Sequence, residues 1–246
     1  MAEWPNQNSS RGGYDLAGNP VSQSAAVDAG LRSHMLKVYN YMASAVLLTG
    51  IVAMLFAQSE FGQNLFYNPS ILTWVLIFSP LIMIFAISFG INKMSQGTLQ
   101  AMFWTFAVLM GLSMASIFLR FTDTSIARTF FATSAAFAGL SLYGYTTKKD
   151  LSGMGSFLIM GVIGLIVASL INIFLQSSGL QWAISFLGVL IFAGLTAYDT
   201  QQIKNTYLQL AGTEFVGKAA IMGALNLYLD FVNMFQFLLN FMGSSE

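Results

Sequence analysis

Seven continuous apolar runs pattern the chain, at residues 36–57, 71–91, 99–119, 126–145, 154–175, 181–203 and 219–242, with short polar joints between them. A hydrocarbon layer about 30 Å thick takes about 20 apolar residues of helix, so each run predicts a membrane-spanning helix. A transmembrane β-barrel would instead show segments of about 10 residues with alternating polarity. The expectation is an all-α membrane protein, a seven-transmembrane-helix bundle. The joints at 121–125, 148–153 and 176–180 are too short to hold a soluble domain.

Composition agrees: 56% of the residues are hydrophobic, 8% are charged and 22 of the 246 are Phe. Residues 1–35 are polar, rich in Ser, Asn and Gly, and contain no apolar stretch of the kind a cleaved signal needs. They are expected to form a disordered tail on the cytoplasmic side, leaving 36–246 as one membrane domain with an uncleaved first helix. The ten Lys and Arg set the orientation, because short cytoplasmic loops collect basic residues. Arg11, Arg32, Lys37, Lys93, Lys148, Lys149, Lys204 and Lys218 share one side of seven spans, and only Arg120 and Arg128 fall on the other. The N-terminus is therefore expected inside and the C-terminus outside, unless the last helix is re-entrant and returns the chain. Small residues cluster in two runs, Gly111, Ser113, Ala115 and Ser116, then Gly155, Gly161 and Gly164. Close helix packing is their ordinary use.

Candidate chemistry concentrates in two carboxylates. Asp230 sits near the middle of the last apolar run, where an Asp costs roughly 2.5 to 3.5 kcal/mol to insert and is kept when it meets a cavity, a partner or a proton path. Asn226, Asp230, Asn233 and Asn240 recur at helical spacing and are expected to project into the bundle. For the asparagines the choice is between a structural hydrogen-bonded seam and a direct role. Asp199 closes the sixth run, about 8 Å inside the interface if Lys204 marks it. It is either a solvated helix-end carboxylate or the partner of Asp230, which lies about 18 Å beyond Lys218. On this arithmetic the two meet only if Lys218 belongs to the loop. Two carboxyls that meet share one proton and titrate as a unit, and such a pair also offers oxygens to a hard cation such as Ca²⁺. Tyr198 and Tyr228 stand beside the two aspartates as packing residues or as hydroxyl caps.

Enzyme readings find few parts, and the chain is read as a non-enzyme. The lone histidine, His34, precedes the first run, so a Ser–His dyad or a His-based metal site inside the bundle has no histidine. No central lysine in the last two runs serves a Schiff base, and the absence of cysteine excludes disulfides and thiolate chemistry. Two facing aspartates formally allow an intramembrane aspartyl protease. Zero net charge gives no pointer to nucleic acid, and no cofactor is expected.

Three runs, LYGYTTKKDLS at 142–152, GVLIFAGLTAYDTQQIK at 188–204 and GALNLYLDFVNMFQFLL at 223–239, resemble the Bax inhibitor-1 family, also called the transmembrane Bax inhibitor motif family, in its bacterial form. The resemblance implies six helices around a central seventh, multi-pass in the bacterial inner membrane. It also implies a pH-sensitive cation leak, chiefly of Ca²⁺, gated by Asp199 and Asp230. By position Lys93 matches the family's basic residue at the end of helix two, which latches the helix-six aspartate; the alternative is a lysine that snorkels to the interface. Helix two lacks the acidic residue that many relatives carry there. A second implied role is binding to the membrane-anchored AAA protease, slowing its digestion of membrane proteins.

Overall fold

In a computed structural model the protein is described over residues 23–243, with side chains from Val27 onward. Nine helices occupy the described residues: α1 (Gln23–Gln58), α2 (Glu60–Tyr67), α3 (Ile71–Gly90), α4 (Gln96–Met114), α5 (Ser116–Arg120), α6 (Asp123–Thr146), α7 (Ser152–Leu175), α8 (Ser178–Leu210) and α9 (Val216–Met242). Polar joints set their starts. The hydroxyls of Ser59, Ser95, Thr122 and Ser177 accept from the backbone N–H of Gly62, Thr98, Ser125 and Leu180, satisfying donors that the first helical turn leaves open. Before α7 that work falls to Asp150, whose carboxyl is held below the usual carboxylate range by the backbone and side chain of Ser152. α4 and α5 form one rod of 25 residues, tightened where Ala115 N–H donates to Leu112 O.

Six helical stretches are long and apolar enough to cross a membrane, and α6, at 24 residues, is long enough but not apolar enough. Each of the seven apolar runs read from the sequence falls on one of the long helices, α6 included. α6 turns Thr129, Thr133 and Ser141 into the bundle, where hydroxyls are internally bonded; Thr133 Oγ1 donates to Thr129 O at 2.8 Å. These three hydroxyl residues are buried rather than presented to lipid.

The first helix also begins at Gln23 rather than at residue 36. Leu31, Met35, Val38, Met42 and Ala45, spaced 4, 3, 4 and 3, are all buried along one stripe, so the helix has a packed face well before the apolar run begins. The remainder of the expected tail, residues 1–22, lies outside the described residues.

α9 is the most enclosed helix: 61% of its most apolar window is buried, against 17% for α3 and for α7. It packs mainly on α1, α4, α6 and α8, while α3 lies on α4 and α7 on α8. The outer faces are apolar; Ile71, Phe89 and Phe174 are 84, 83 and 88% exposed, as suits helices set in hydrocarbon.

Glycines govern how near these helices come. A methyl group at Gly144 of α6 would overlap the Ala197 carbonyl of α8, whereas one at Gly164 of α7 would meet nothing. Gly144→Val should therefore lower the apparent melting temperature in detergent, with an overpacking cost of about 1 to 3 kcal/mol. Gly164→Ala should not lower it. Thermal scans of both variants beside the wild type read the difference, and equal behaviour would show that α6 and α8 are not in tight contact.

Candidate functional site

α8 and α9 make the most extensive packing in the bundle and run antiparallel, with Ile203 over Gly223 near one end and Phe237 over Gly188 near the other. Between those fixed points stand Asp199 on α8 and Asp230 on α9. Their levels differ by roughly one turn, and the side chains close the gap, so that the two carboxyls interact directly. Asp230 is only 4% exposed and Asp199 is partly buried. A carboxylate only accepts, so a hydrogen bond between two carboxyls needs a proton on one of them. Oδ2 of Asp230 is buried and accepts from no donor, which marks the pair as incompletely satisfied.

The condition set on this meeting by sequence arithmetic needs correction. Lys218 is not in the loop; it lies in the first turn of α9, and α8 continues six residues past Lys204 to Leu210. The turn is only 211–215, with Gly212 at φ 83°, a left-handed conformation that suits glycine. Lys204 does not mark the helix end. Its Nζ donates to Tyr145 O at 3.0 Å and lies 5.5 Å from the Tyr145 ring centre, tying α8 to the end of α6.

The asparagine stripe is also differently placed. Asn226 and Asn240 are exposed and Asn233 is partly buried, donating to Leu229 O at 2.8 Å. Helical spacing puts these residues on a shared side, yet α9 has one open edge, and the asparagines follow it while Asp230 sits at its border facing α8. Lys93 is exposed in the turn after α3, with no ion pair to a carboxylate among the described residues. Neither tyrosine caps an aspartate. The Tyr198 ring covers Gly155 of α7, and its hydroxyl accepts from Gln202 Nε2 at 3.2 Å. The Tyr228 hydroxyl bonds Thr49 Oγ1 at 2.7 Å.

Sequence reasoning missed the polar partners that α1 and α6 bring. Tyr39 Oη bonds Ser141 Oγ at 2.6 Å, Ser141 Oγ bonds Thr200 Oγ1 at 2.9 Å, and Thr200 Oγ1 reaches Thr196 O at 2.7 Å. This chain of hydroxyls crosses from α1 through α6 to the residue beside Asp199. His34 is buried with its ring 4.9 Å from that of Tyr207, and its Nε2 has no hydrogen-bond partner. Single hydroxyl residues in apolar runs carry almost no signal; only their recurrence at helical spacing in α6, Thr129, Thr133 and Ser141, points to a shared buried face.

No three of His, Cys, Asp and Glu gather as a metal-holding group among the described residues. Two carboxylates fall short of the roughly six to eight oxygens that Ca²⁺ takes, so a cation at this pair would keep much of its water.

A multi-helix membrane bundle with a carboxyl pair buried against its most enclosed helix is the class these features define. The comparisons with known proteins narrow it. The chain belongs to the Bax inhibitor-1 family: the family described as "Inhibitor of apoptosis-promoting Bax1" matches residues 31–246. It is 47% identical to an uncharacterized protein of Rickettsia prowazekii, over 91% of this chain and 94% of that one. It is 46% identical to an uncharacterized protein of Caulobacter vibrioides, over 90% and 92%. Identity to the inner membrane protein YbhL of Escherichia coli K12 is 43%, over 88% of this chain and 93% of the relative.

The buried Thr49–Tyr228 contact gives a direct test of the packing around α9. Thr49 Oγ1 also donates to Ala107 O at 2.9 Å, so Tyr228→Phe leaves Thr49 bonded, whereas Thr49→Val strands the Tyr228 hydroxyl. Thr49→Val should cost about 1 to 3 kcal/mol and Tyr228→Phe less, with the double variant nearer to Tyr228→Phe. Apparent melting temperatures of the three proteins check the order.

Proposed function

We propose that the protein is a pH-sensitive cation leak of the bacterial inner membrane, in which the Asp199–Asp230 pair is both proton sensor and ion site. The observation that supports this reading is the contact of two carboxyls across the α8–α9 interface, deep in the most enclosed helix. With one proton between them the pair joins α8 to α9. Without it, two like charges face each other in a low-dielectric setting, and the arrangement relaxes by parting the helices or by admitting a cation. The same loss of charge balance that opens the path attracts the ion that would use it. Kinship with YbhL, an inner membrane protein by name, supports the location. The basic residues Lys148, Lys149, Lys204 and Lys218, in or near the α6–α7 and α8–α9 connections, support a cytoplasmic N-terminal side.

Calcium is the cation we assign as cargo. The pair offers hard oxygen donors but too few to strip the ion of water, a combination that suits transit over retention. Lys93 acts as a latch only if the turn after α3 swings toward α8.

Ca²⁺ entry into liposomes holding the purified chain, followed from pH 6 to 8, tests the reading. The wild type should conduct more as pH rises, because deprotonation removes the shared hydrogen bond. Asp230→Asn and Asp199→Asn should each flatten this pH dependence while the protein stays folded, since neither amide carries the proton at issue. Lys93→Gln should raise flux at low pH if Lys93 is a latch and leave it unchanged otherwise. Absence of flux above that of empty liposomes, with folded protein confirmed, would overturn the leak and move attention to modulation of the membrane-anchored AAA protease.

A further inference from the structure

We propose that the seam between α1 and α6 binds one acyl chain of an anionic phospholipid, with Arg32 holding the headgroup phosphate. α1 and α6 both pack on α9, yet they do not pack along each other. Between them the bundle is open. A cavity of about 490 Å³ lies at the end where α1 begins, with Leu36, Phe137 and Leu142 among its walls and Arg32 and Tyr145 among its polar residues. Further along the same two helices is a second cavity of about 330 Å³, where Gly50 and Ala53 face Ala127 and Phe130, and Phe231 of α9 contributes to the lining. A would-be Cβ on Gly50 meets nothing within 4 Å, so this stretch of α1 is not closed by a neighbouring helix.

Such a seam calls for an apolar occupant. Protein interiors pack to crystal-like density and keep few voids above the size of a water, and apolar cavities do not hold water well. Leu142 and Phe131, on the outward side of α6, are 63% and 72% exposed, so the seam opens toward the hydrocarbon rather than toward a closed core. An acyl chain enters such a slot without parting the helices. A helix, about 10 to 12 Å across, does not.

The charge at one end selects the headgroup. Arg32 is exposed, lines the larger cavity, and forms no ion pair with a carboxylate among the described residues. A guanidinium presents a planar fork that matches two phosphate oxygens, which a zwitterionic headgroup offers with less net attraction. Lys148 and Lys149 follow the last turn of α6, adding positive charge beyond Tyr145. The Tyr39–Ser141 hydrogen bond crosses at this level, so the chain would lie against the hydroxyls that lead to Thr200, the neighbour of Asp199.

Native mass spectrometry of the full-length protein in detergent, with phosphatidylglycerol and phosphatidylcholine added in equal amounts, tests this independently of any flux. Phosphatidylglycerol should be retained about fivefold over phosphatidylcholine, the preference one basic side chain supplies. Arg32→Gln should abolish that preference. Lys37→Gln, which removes another exposed cation of α1 that does not line this cavity, should keep it. Ala138→Trp, which fills the cavity from an exposed position, should lower retention of both lipids in a protein whose circular dichroism is unchanged. Equal losses in Arg32→Gln and Lys37→Gln would show diffuse surface attraction and overturn the site. Retention unaffected by Ala138→Trp would place the lipid elsewhere, and displacement of phosphatidylglycerol by an equal amount of free fatty acid would make this a fatty-acid site instead.

Discussion

A carboxyl group cannot stand alone in a dry interior, and the burial of Asp230 is the constraint from which much of this structure follows. Desolvating an isolated charge costs far more than a folded chain can spare, so the group must find a partner, a proton or both. Asp199 is the charged partner that the fold brings to it. Because α9 is enclosed by four helices, every polar group it carries faces the same demand: Tyr228 is satisfied by Thr49 of α1, and Asn233 by a carbonyl of its own helix. The exposed Asn226 and Asn240 escape that demand only because they line the one open edge.

The neighbouring helices are shaped by the same requirement. α8 must lie close to α9 for two short side chains to touch, and Gly223 and Gly188 permit that approach by leaving room for Ile203 and Phe237. α6 must lie close to α8, and Gly144 makes that possible beneath Ala197. Ser141 of α6 then completes a hydrogen bond to Thr200 of α8 that an apolar side chain could not. α3 and α7, lying outside this layer, carry no such duty and are plainly apolar.

Much of the fold was legible in the sequence because hydrocarbon imposes a simple rule on length and polarity. The apolar runs located all seven long helices, and Asp230 announced itself as a charge in the wrong solvent. What failed depended on tertiary neighbours. The start of α1 was placed at residue 36 because apolar density rises there, although the buried stripe begins with Leu31. That Lys204 stands inside α8, with its ammonium held by Tyr145, is likewise a matter of neighbours. The asparagine stripe was expected to face inward because spacing defines a side of a helix but not what lies opposite. The hydroxyls of Tyr39, Ser141 and Thr200 were invisible for a similar reason: each is unremarked alone, and only the fold joins them.

The seam between α1 and α6 and the carboxyl pair between α8 and α9 are linked by the way α9 is enclosed. Four helices around one leave lateral contacts incomplete, and the gap falls where α1 and α6 both lean on α9 and touch at the Tyr39–Ser141 hydrogen bond without packing along each other. Phe231, next in sequence to Asp230, borders that gap, while Asp230 itself faces α8. α9 thus borders a cavity on one side and carries its carboxyl on another at the same level. A displacement of α9 that loosens one contact necessarily changes the other, since a helix moves as a rigid rod over a single turn. Whatever fills the seam therefore bears on how readily the two carboxyls part, through packing and without any direct contact with the charge.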